Sequence, residues 1–275
     1  MSKTWFVTGA ARGIGASIVR AALAAGDRVV ATGRDPGAIA DGFGEAVLAL
    51  RLDVADRQEV EAAVAAALDR FGRIDVLVNN AGYGHFGVFE ESTPEEAERQ
   101  FATNVFGLFD VTRAVLPAMR RQRAGHVINI SSVAGIRGGP GGSLYCASKH
   151  AVEGFSESLA HEVAPFGIGI TLVEPGFFRT DFLDSSSVRY GADAIADYAG
   201  QSATIRARYA ERNHRQAGDP DKLAAVIVDL AGRDAPPFRF AAGTDAVAIV
   251  EAKIQRLQGD LDAWRALSIT TDGAD

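Results

Sequence analysis

Short apolar segments alternate with longer amphipathic segments along most of the chain. Six apolar segments are predicted to be strands, and none of them is polar at alternate positions. Strands that are apolar on both faces are typical of a parallel sheet covered by helices on both sides. The six segments are Thr4–Val7, Arg28–Thr32, Ala46–Leu52, Asp75–Asn79, His126–Ile130 and Gly169–Val173.

The amphipathic segments between these strands predict helices. Before the third of them, Thr93 supplies a capping hydroxyl, Pro94 suits the first helical position, and Glu96 completes a capping box. Strand–helix alternation predicts right-handed crossovers and therefore a doubly wound α/β sheet. The predicted helices are Gly15–Ala25, Arg57–Phe71, Pro94–Met119 and Ser143–Ala164.

The alternation changes after Pro175-Gly176. Residues 177–218 show no clear strand and mix aromatic residues with helix formers. A helix at Pro220–Ala231, a strand at Phe238–Ala242 and a helix at Asp245–Leu267 are predicted to follow, which gives about seven strands. With no linker or repeat, we expect one domain, 1–243, in which 177–218 covers the substrate. Residues 244–275 are expected to form a helical extension packed on the same domain.

Composition narrows the classes of protein that the chain can represent. Its 275 residues include 28 basic and 35 acidic ones, a net charge of -7, which argues against nucleic-acid binding. Cys146 is the only cysteine, so no internal disulfide or thiolate metal cage is expected. No apolar segment has the length of a signal-peptide core or a membrane span, so we expect a cytoplasmic protein with no membrane partner.

A glycine-rich turn, Thr8-Gly9-Ala10-Ala11-Arg12-Gly13-Ile14-Gly15, joins the first strand to the first helix. Glycines there permit a tight turn and close approach of the backbone to a pyrophosphate. The N–H groups at the start of the helix favour a bound phosphate. An ordinary strand-to-helix turn is the alternative, but the position after the first strand favours dinucleotide binding.

The glycine spacing, G-x-x-x-G-x-G, resembles that of the short-chain dehydrogenase/reductase family. Four further motifs stand in the order of that family: Asn79-Asn80-Ala81-Gly82, then Asn104 and Ser132, then Tyr145-Cys146-Ala147-Ser148-Lys149, then Pro175-Gly176 with Thr180. The resemblance runs from about Lys3 to Thr180, and a weaker resemblance is found at the strand ending at Gly243. It implies a Rossmann-type domain and an NAD(P)(H)-dependent oxidoreductase acting on a carbonyl or alcohol compound.

The resemblance also implies a role for each motif residue. Tyr145 would be the general acid and base, and Lys149 would lower its pKa and hold the cofactor ribose. Ser132 would orient the substrate oxygen, since its interval to the tyrosine is the usual one and that of Ser131 is not. Asn104 would hold a water in a proton relay, or it is simply a buried asparagine satisfied by backbone. The implied cofactor residues are Thr8, Gly9, Arg12, Gly13, Ile14, Gly15, Arg34, Asp53, Val54, Asn80, Ala81, Gly82, Tyr145, Lys149, Pro175, Gly176 and Thr180.

Simple electrostatics supports the pairing of Tyr145 with Lys149. The two residues are four apart in a predicted helix, so they share one face. A free tyrosine has a pKa of about 10, and moving it to about 7 requires roughly 4 kcal/mol. A single charge about 4 Å away supplies about that much at an effective dielectric of 20. We therefore expect Lys149 to lower the pKa of Tyr145.

Residues after the second strand bear on the choice of cofactor. An NAD-specific site usually has a carboxylate there, but Gly33 holds the position and Arg34 follows. Arg34 and Arg12 suit a 2′-phosphate, which favours NADP(H). Asp35 keeps NAD(H) open, because it could reach the ribose if the turn is shifted.

The remaining expectations concern the substrate and partners. Tyr83, His85, Phe177 and Phe182 are candidate substrate contacts, although the aromatics could instead pack on the core and His85 could be an exposed loop residue. No residue stands at ligand spacing from His85, and no metal site is expected. The resemblance implies pairing through the long helices, as a homodimer or a homotetramer, and we expect the dimer. A non-catalytic NADP(H)-sensing protein and an epimerase or dehydratase are the rival functions.

Overall fold

A seven-stranded parallel sheet forms the centre of the computed structural model, which describes residues 2–184 and 187–273. The strand order is β3-β2-β1-β4-β6-β7-β9. All seven predicted strands are present, with ends that differ by one or two residues. Their bounds are β1 Thr4–Thr8, β2 Arg28–Gly33, β3 Val47–Arg51, β4 Val76–Asn79, β6 Gly125–Ile130, β7 Ile168–Pro175 and β9 Arg239–Ala242.

Helices cover both faces of the sheet, which confirms the doubly wound α/β class. On one face Ile18 and Ile227 pack against strands β1, β2 and β4, and on the other Val64, Val115 and Leu159 do the same. The helices are α1 Gly13–Ala24, α2 Pro36–Phe43, α3 Arg57–Phe71, α4 Pro94–Phe101, α5 Leu108–Gln122, α6 Ser143–Val163, α7 Ala199–Arg212, α8 Pro220–Gly232 and α9 Thr244–Ser268.

The strand order reverses at β1. Phe6 of β1 lies between Val30 of β2 and Leu77 of β4. Strands β2 and β3 are added on one side of β1, and the later strands, beginning with β4, are added on the other. In open α/β sheets, ligands bind at the carboxyl ends of the strands beside such a reversal. The topology therefore directs attention to the turns after β1 and β4.

The helix predicted at Pro94–Met119 is not continuous. Between α4 and α5 the chain makes a π-helical segment, Ala102–Gly107. A Cβ at Gly107 would lie 2.7 Å from Val54 Cγ2, so the absence of a side chain there lets the segment pack directly on Val54, three residues after β3. Asn104 lies within the segment and is 2% exposed. A π-helical turn inside an α-helix is often found at a functional site.

The prediction that residues 177–218 lack a strand is wrong. Val188–Tyr190 forms β8, which pairs in parallel with β5, Gly84–Phe86. Each strand has only three residues, too few for a periodic pattern to reveal. The pairing of β5 with β8 joins the turn after β4 to the segment after β7. The turn and the segment therefore both lie over the carboxyl edge of the sheet.

The described part of the C-terminal extension is helix α9 followed by a 3-10 turn, Ile269–Thr271, and it contacts the domain through the first turns of α9 only. Ala246 is fully buried, whereas every described residue from Ile254 onward is exposed. The later turns of α9 therefore do not pack on the domain as expected, because no other part of the described chain covers them. Within the described residues, no helix combines the length and the apolar character needed to cross a bilayer.

Buried His126 predicts a specific pH dependence of stability. Its Nε2 lies 2.8 Å from Thr171 Oγ1, and burial lowers its pKa to about 4, with a smaller effect of Lys3. Between about pH 4 and 6.5 the unfolded chain binds a proton that the folded one does not, so the free energy of unfolding rises with pH by about 3 kcal/mol. Urea unfolding at pH 4.5 and 7 measures this change.

The variant His126→Gln tests whether His126 causes this pH dependence. Its matched control is His161→Gln, because His161 is exposed. We expect the pH dependence to flatten in His126→Gln and to persist in His161→Gln. An equal dependence in both variants would assign it to other groups.

Candidate active site

Hydrogen bonds lock the glycine-rich turn to the turn after β4. Thr8 Oγ1 accepts from the backbone N–H groups of Asn80 and Ala81, each at 3.0 Å. Asn80 Nδ2 donates in return to the carbonyls of Thr8 and Gly9, at 2.9 and 3.0 Å. The two motifs predicted from sequence are therefore one structural unit at the reversal of strand order.

The start of α1 is open toward this unit. Arg12 is the N-cap residue but provides no side-chain cap, and the first turn contains no acidic residue. Gly9 and Gly13 have φ values of 65° and 57°, which glycine adopts without strain. A Cβ at Gly15 would lie 2.3 Å from the carbonyl oxygen of Gly9 and 2.5 Å from Asn80 Nδ2. This arrangement leaves N–H groups and the positive end of the helix available to an anion.

A cavity of about 1120 Å³ opens over the carboxyl ends of the strands. Three predicted site residues are absent from its wall: Thr8, Gly15 and Asn104 lie behind it. The other predicted residues line it together: Gly9, Arg12, Gly13, Ile14, Arg34, Asp53, Val54, Asn80, Ala81, Gly82, Tyr83, His85, Ser132, Tyr145, Lys149, Pro175, Gly176, Phe177, Thr180 and Phe182.

Tyr145 lies in the first turn of α6 and is 8% exposed. Its ring packs between Phe86 and Phe182, with centroid distances of 5.4 and 5.7 Å. Burial raises the pKa of Tyr145 well above its ordinary value, and a hydrogen bond with Ser132 partly opposes that rise. The hydroxyl is thus a protonated donor in the cavity wall, held beside a second hydroxyl.

The expected lowering of the Tyr145 pKa by Lys149 is not found. Lys149 Nζ donates to the carbonyl oxygen of Ile130 at 2.7 Å and lies 5.9 Å from the centre of the tyrosine ring. Burial also lowers the pKa of Lys149 to about 8, opposed by the nearby carboxylate of Glu153. The estimate from one charge at 4 Å neglected the desolvation of both groups, which dominates here.

Ser131 and Ser132 have different surroundings although they are neighbours. Ser132 Oγ accepts from the backbone N–H of Ala134 at 3.1 Å and faces Tyr145. Ser131 is buried and donates to Glu153 Oε1. The geometry therefore leaves Ser132 as the serine available to a molecule beside Tyr145.

An ionic cluster near Lys149, with two buried carboxylates and an exposed arginine, was missed by the sequence analysis. Arg239 on β9 bridges Glu153 on α6 and Glu174 on β7, and its Nη1 lies 2.8 Å from Glu174 Oε1. Burial raises the pKa of Glu174, with the charge of Glu153 as the next cause. The three residues are far apart in sequence and follow no motif, so only their convergence in space reveals the cluster.

Asn104 holds the backbone of the turn after β4. Its Oδ1 accepts from Tyr83 N at 3.1 Å, and its Nδ2 donates to Tyr83 O at 3.0 Å and to Ser148 Oγ at 3.2 Å. Gly82 packs closely, because a Cβ there would lie 3.1 Å from Asn104 Oδ1. Both amide hydrogens are used, so this geometry agrees with the alternative of a buried asparagine satisfied mainly by backbone.

Basic and acidic residues meet at the far end of the cavity, after β2 and β3. Arg34 is exposed in the cavity wall at this end. Arg12 instead donates from Nη2 to Ser187 Oγ at 2.8 Å, in the segment after β7. Asp35 is the N-cap of α2 and accepts from Ala38 N at 3.1 Å. Asp53 accepts from Ala55 N at 3.1 Å. The carboxylate of Asp35 is thus engaged in starting a helix.

The turn after β7 closes the cavity on the side of the glycine-rich turn. A Cβ at Gly13 would contact Thr180 Cβ at 3.5 Å, and Thr180 Oγ1 accepts from Phe182 N at 3.3 Å. Gly176 has no room for a side chain, since a Cβ would lie 2.1 Å from Asp245 Oδ1. These contacts join the three turns around one opening.

Aromatic residues form the other end of the cavity. Phe182 and Tyr83 line the wall near Tyr145, and Arg212 stacks on Phe177 at 4.4 Å. Tyr209 of α7, which the sequence analysis did not single out, stacks on Phe86 with centroids 4.2 Å apart. Its placement depends on α7 folding over the site, which no local pattern in 177–218 indicated.

His85 is not an exposed loop residue. It lies in β5, is 3% exposed, and its Nε2 is 3.0 Å from Ser92 Oγ. Burial lowers the pKa of His85, so the ring is neutral at neutral pH.

One trio within the described residues, Asp181, Asp184 and His214, has metal-ligand spacing, but Asp184 is already bonded to Asn213 and His214.

Comparison with known proteins gives a consistent result. Residues 3–190 match the family model described as short chain dehydrogenase. The oxidoreductase BOA17 of Botryotinia fuckeliana is 39% identical over 98% of this chain and 100% of its own. A short-chain dehydrogenase from Streptomyces avermitilis superposes with a TM-score of 0.91 at 39% identity, covering 99% of this chain and 100% of the other. A short-chain dehydrogenase/reductase from Burkholderia phymatum in complex with NAD has a TM-score of 0.82 at 27% identity, covering 100% and 97%.

The family match covers well over half of the chain, and the matched residues include the glycine-rich turn and the Tyr145–Lys149 pair. The relatives match over nearly their whole length, so the likeness is not confined to a nucleotide-binding half. The chain therefore belongs to the short-chain dehydrogenase family and is an oxidoreductase.

Proposed function

We propose that the protein transfers a hydride between NADP(H) and the carbonyl or alcohol carbon of a small molecule. The observation that carries this proposal is a single cavity with two chemically different ends. The glycine-rich turn and the open start of α1 lie at one end, and Tyr145 with Ser132 lies at the other. A dinucleotide laid along the cavity would bring its reactive ring to the two hydroxyls.

The residues of the first end fit a dinucleotide. Gly9 and Gly13 leave the turn without side chains where a pyrophosphate would approach, and Gly15 lets α1 pack closely on Gly9 and Asn80. The first turn of α1 presents N–H groups without competing carboxylates. Asp53 and Val54 would border the adenine. Lys149 and Tyr145 would contact the ribose beside the nicotinamide, and Pro175 with Thr180 would border the ring.

In the proposed reaction a bound nicotinamide would supply the hydride or accept it. Tyr145 would donate its proton to the substrate oxygen during reduction, which suits the protonated state favoured by its burial. Ser132 would hold the same oxygen through its hydroxyl. Lys149 would act by holding the cofactor ribose, since its Nζ is fixed beside the tyrosine by the carbonyl of Ile130 and no lowering of the Tyr145 pKa by its charge is found. Asn104 would act indirectly, by fixing the turn at Tyr83.

The test is consumption of NADPH, with NADH in parallel, against a panel of aldehydes, ketones, β-keto esters and steroids. Reduction of one class would support the proposal and define the substrate range. Tight binding of NADPH with no turnover on any substrate would instead favour the non-catalytic sensing protein. An epimerase or dehydratase would convert its substrate without net consumption of NADPH.

Arg34→Ala tests the preference for NADP(H). Removing a guanidinium that pairs with the 2′-phosphate should raise the KM for NADPH about tenfold to a hundredfold, while the KM for NADH changes little. Steady-state kinetics with both cofactors measures the ratio. Arg70→Ala removes the same charge at an exposed position of α3, away from the cavity, and should leave both KM values unchanged. Equal losses with both cofactors in Arg34→Ala would refute the assignment.

We also propose a homodimer that pairs through α4–α5 and α6, as the family resemblance implies.

The aromatic end of the cavity, with Phe182 and Tyr209, favours substrates with an apolar body. Phe177 and Tyr83 would border such a substrate.

A further inference from the structure

Helix α9 carries an exposed apolar stripe that its own domain does not cover. Ile254, Leu257, Leu261 and Trp264 are between 49% and 63% exposed. Val247 is also exposed, near the start of the helix. Large side chains of this kind usually lie singly on a surface, and a contiguous row of them marks an interaction site.

The spacing of the stripe is that of a coiled coil. Val247, Val250, Ile254, Leu257, Leu261 and Trp264 follow one another at alternating intervals of three and four residues. This is an a/d pattern over three heptads, which predicts a helix that packs along its length against another helix. The opposite face of α9 carries Ala252, Gly259 and Ala266, which form no second apolar row of large side chains.

The outer part of α9 needs a partner for physical reasons. From Ile254 to Ser268 the helix is exposed on all sides, a length of 15 residues at the margin of what is stable alone in water. Its first turns are fixed because Ala246 is buried and Ile249 lines the wall of the cavity. The helix is therefore held at one end and unsupported at the other.

We infer that the stripe Val247–Trp264 of α9 pairs with the same stripe of a second copy of the chain. A stripe with an a/d pattern is complementary to itself, and a two-fold dimer uses the same surface on both subunits. The charges beside the stripe agree. In a parallel pair Asp260 lies opposite Arg265 of the other copy, and in an antiparallel pair that aligns Val247 with Trp264 it lies opposite Lys253.

A lipid surface fits the same stripe less well. Helices that lie on membranes usually have a polar face rich in Lys and Arg. Here the charged residues are of mixed sign, with ion pairs from Arg256 to Asp260 and from Arg265 to Asp262 within the helix. Acidic residues outnumber basic ones between 244 and 273, which opposes binding to anionic lipids.

The test compares the wild type with Leu257→Glu/Leu261→Glu by sedimentation and light scattering. The double variant places two charges in the stripe and should halve the mass of the assembly, since the inferred α9 contact joins its two halves. Gln255→Glu/Ala266→Glu adds the same charge to the other face of α9 and should keep the wild-type mass. Equal masses for all three proteins would overturn the inference.

Trp264 provides a second readout that does not depend on the mass. Of the two tryptophans, Trp5 is fully buried and Trp264 is 63% exposed in the single chain. In the assembled protein Trp264 should be shielded from acrylamide, and it should become quenchable in Leu257→Glu/Leu261→Glu. A freely quenched Trp264 in the concentrated wild type would contradict the pairing.

Two controls separate the remaining outcomes. The substituted positions lie outside the domain core, so the buried Trp5 should stay protected from acrylamide in the double variant as in the wild type. The wild type should not sediment with vesicles of anionic phospholipid. Sedimentation of the wild type but not of the double variant would replace the second copy with a membrane and overturn the inference.

Discussion

Tyr145→Phe is expected to reduce turnover about a thousandfold while leaving the affinity for NADPH close to that of the wild type. The change removes one oxygen atom, and the ring that packs between Phe86 and Phe182 remains. Proton transfer by a positioned side chain typically contributes a factor of about 10²–10⁴. Because Ser132 can hold the substrate oxygen but is not the proposed acid, loss of the Tyr145 hydroxyl removes the group that would transfer a proton to that oxygen.

Single-turnover kinetics and NADPH fluorescence measure the two halves of this prediction separately. Tyr190→Phe is the matched control, since Tyr190 belongs to the same aromatic cluster but is not part of the cavity wall. Its turnover should stay within a few-fold of the wild type. Turnover near normal in Tyr145→Phe would reject the proposed mechanism, and loss of NADPH binding would assign the tyrosine a mainly structural role.

Gly15→Ala is expected to destabilise the domain by about 1–3 kcal/mol and to weaken cofactor binding at least tenfold. The added Cβ would lie 2.3 Å from Gly9 O and 2.5 Å from Asn80 Nδ2. Neither atom can move alone, because Asn80 Nδ2 holds the carbonyls of Thr8 and Gly9. Overpacking of this kind costs more than the gain in helix propensity from glycine to alanine.

Gly259→Ala is the control for this substitution. Gly259 lies inside α9, and a Cβ there would meet nothing within 4 Å, so the change should stabilise its helix by about 0.5–1 kcal/mol. Urea unfolding gives the stabilities, and titration with NADPH gives the affinities. Wild-type stability and affinity in Gly15→Ala would show that the two turns adapt, contrary to the packing described above.

The order of the seven main strands and of most helices was predictable because these elements carry local signals, whereas α2 and α7 were not predicted. Apolar runs of four to seven residues marked all seven strands of the main sheet, and Thr93-Pro94-Glu95-Glu96 marked the start of α4. The three-residue strands β5 and β8 carry no such signal, and they form only because the turn after β4 meets the segment after β7.

The candidate site was predictable where a motif is contiguous. The glycine-rich turn and the turn after β4 lie at strand ends that the topology brings together, and the Tyr145–Lys149 pair lies in the first two turns of α6 on the same cavity. The cluster of Glu153, Glu174 and Arg239 has no motif, because its members come from three elements and meet only in the folded chain.

The sequence by itself determined the fold class, the family and the residues at the reversal of strand order, because periodicity, glycine spacing and motif order are properties of the chain. Tertiary structure alone decided the rest. Burial set the pKa of Tyr145 above its ordinary value and that of Lys149 below it, since desolvation depends on neighbours distant in sequence. Tertiary structure also decided that Asn104 bonds to the backbone of Tyr83 and that the apolar stripe of α9 lies outside the domain, because packing depends on which surfaces the fold leaves free.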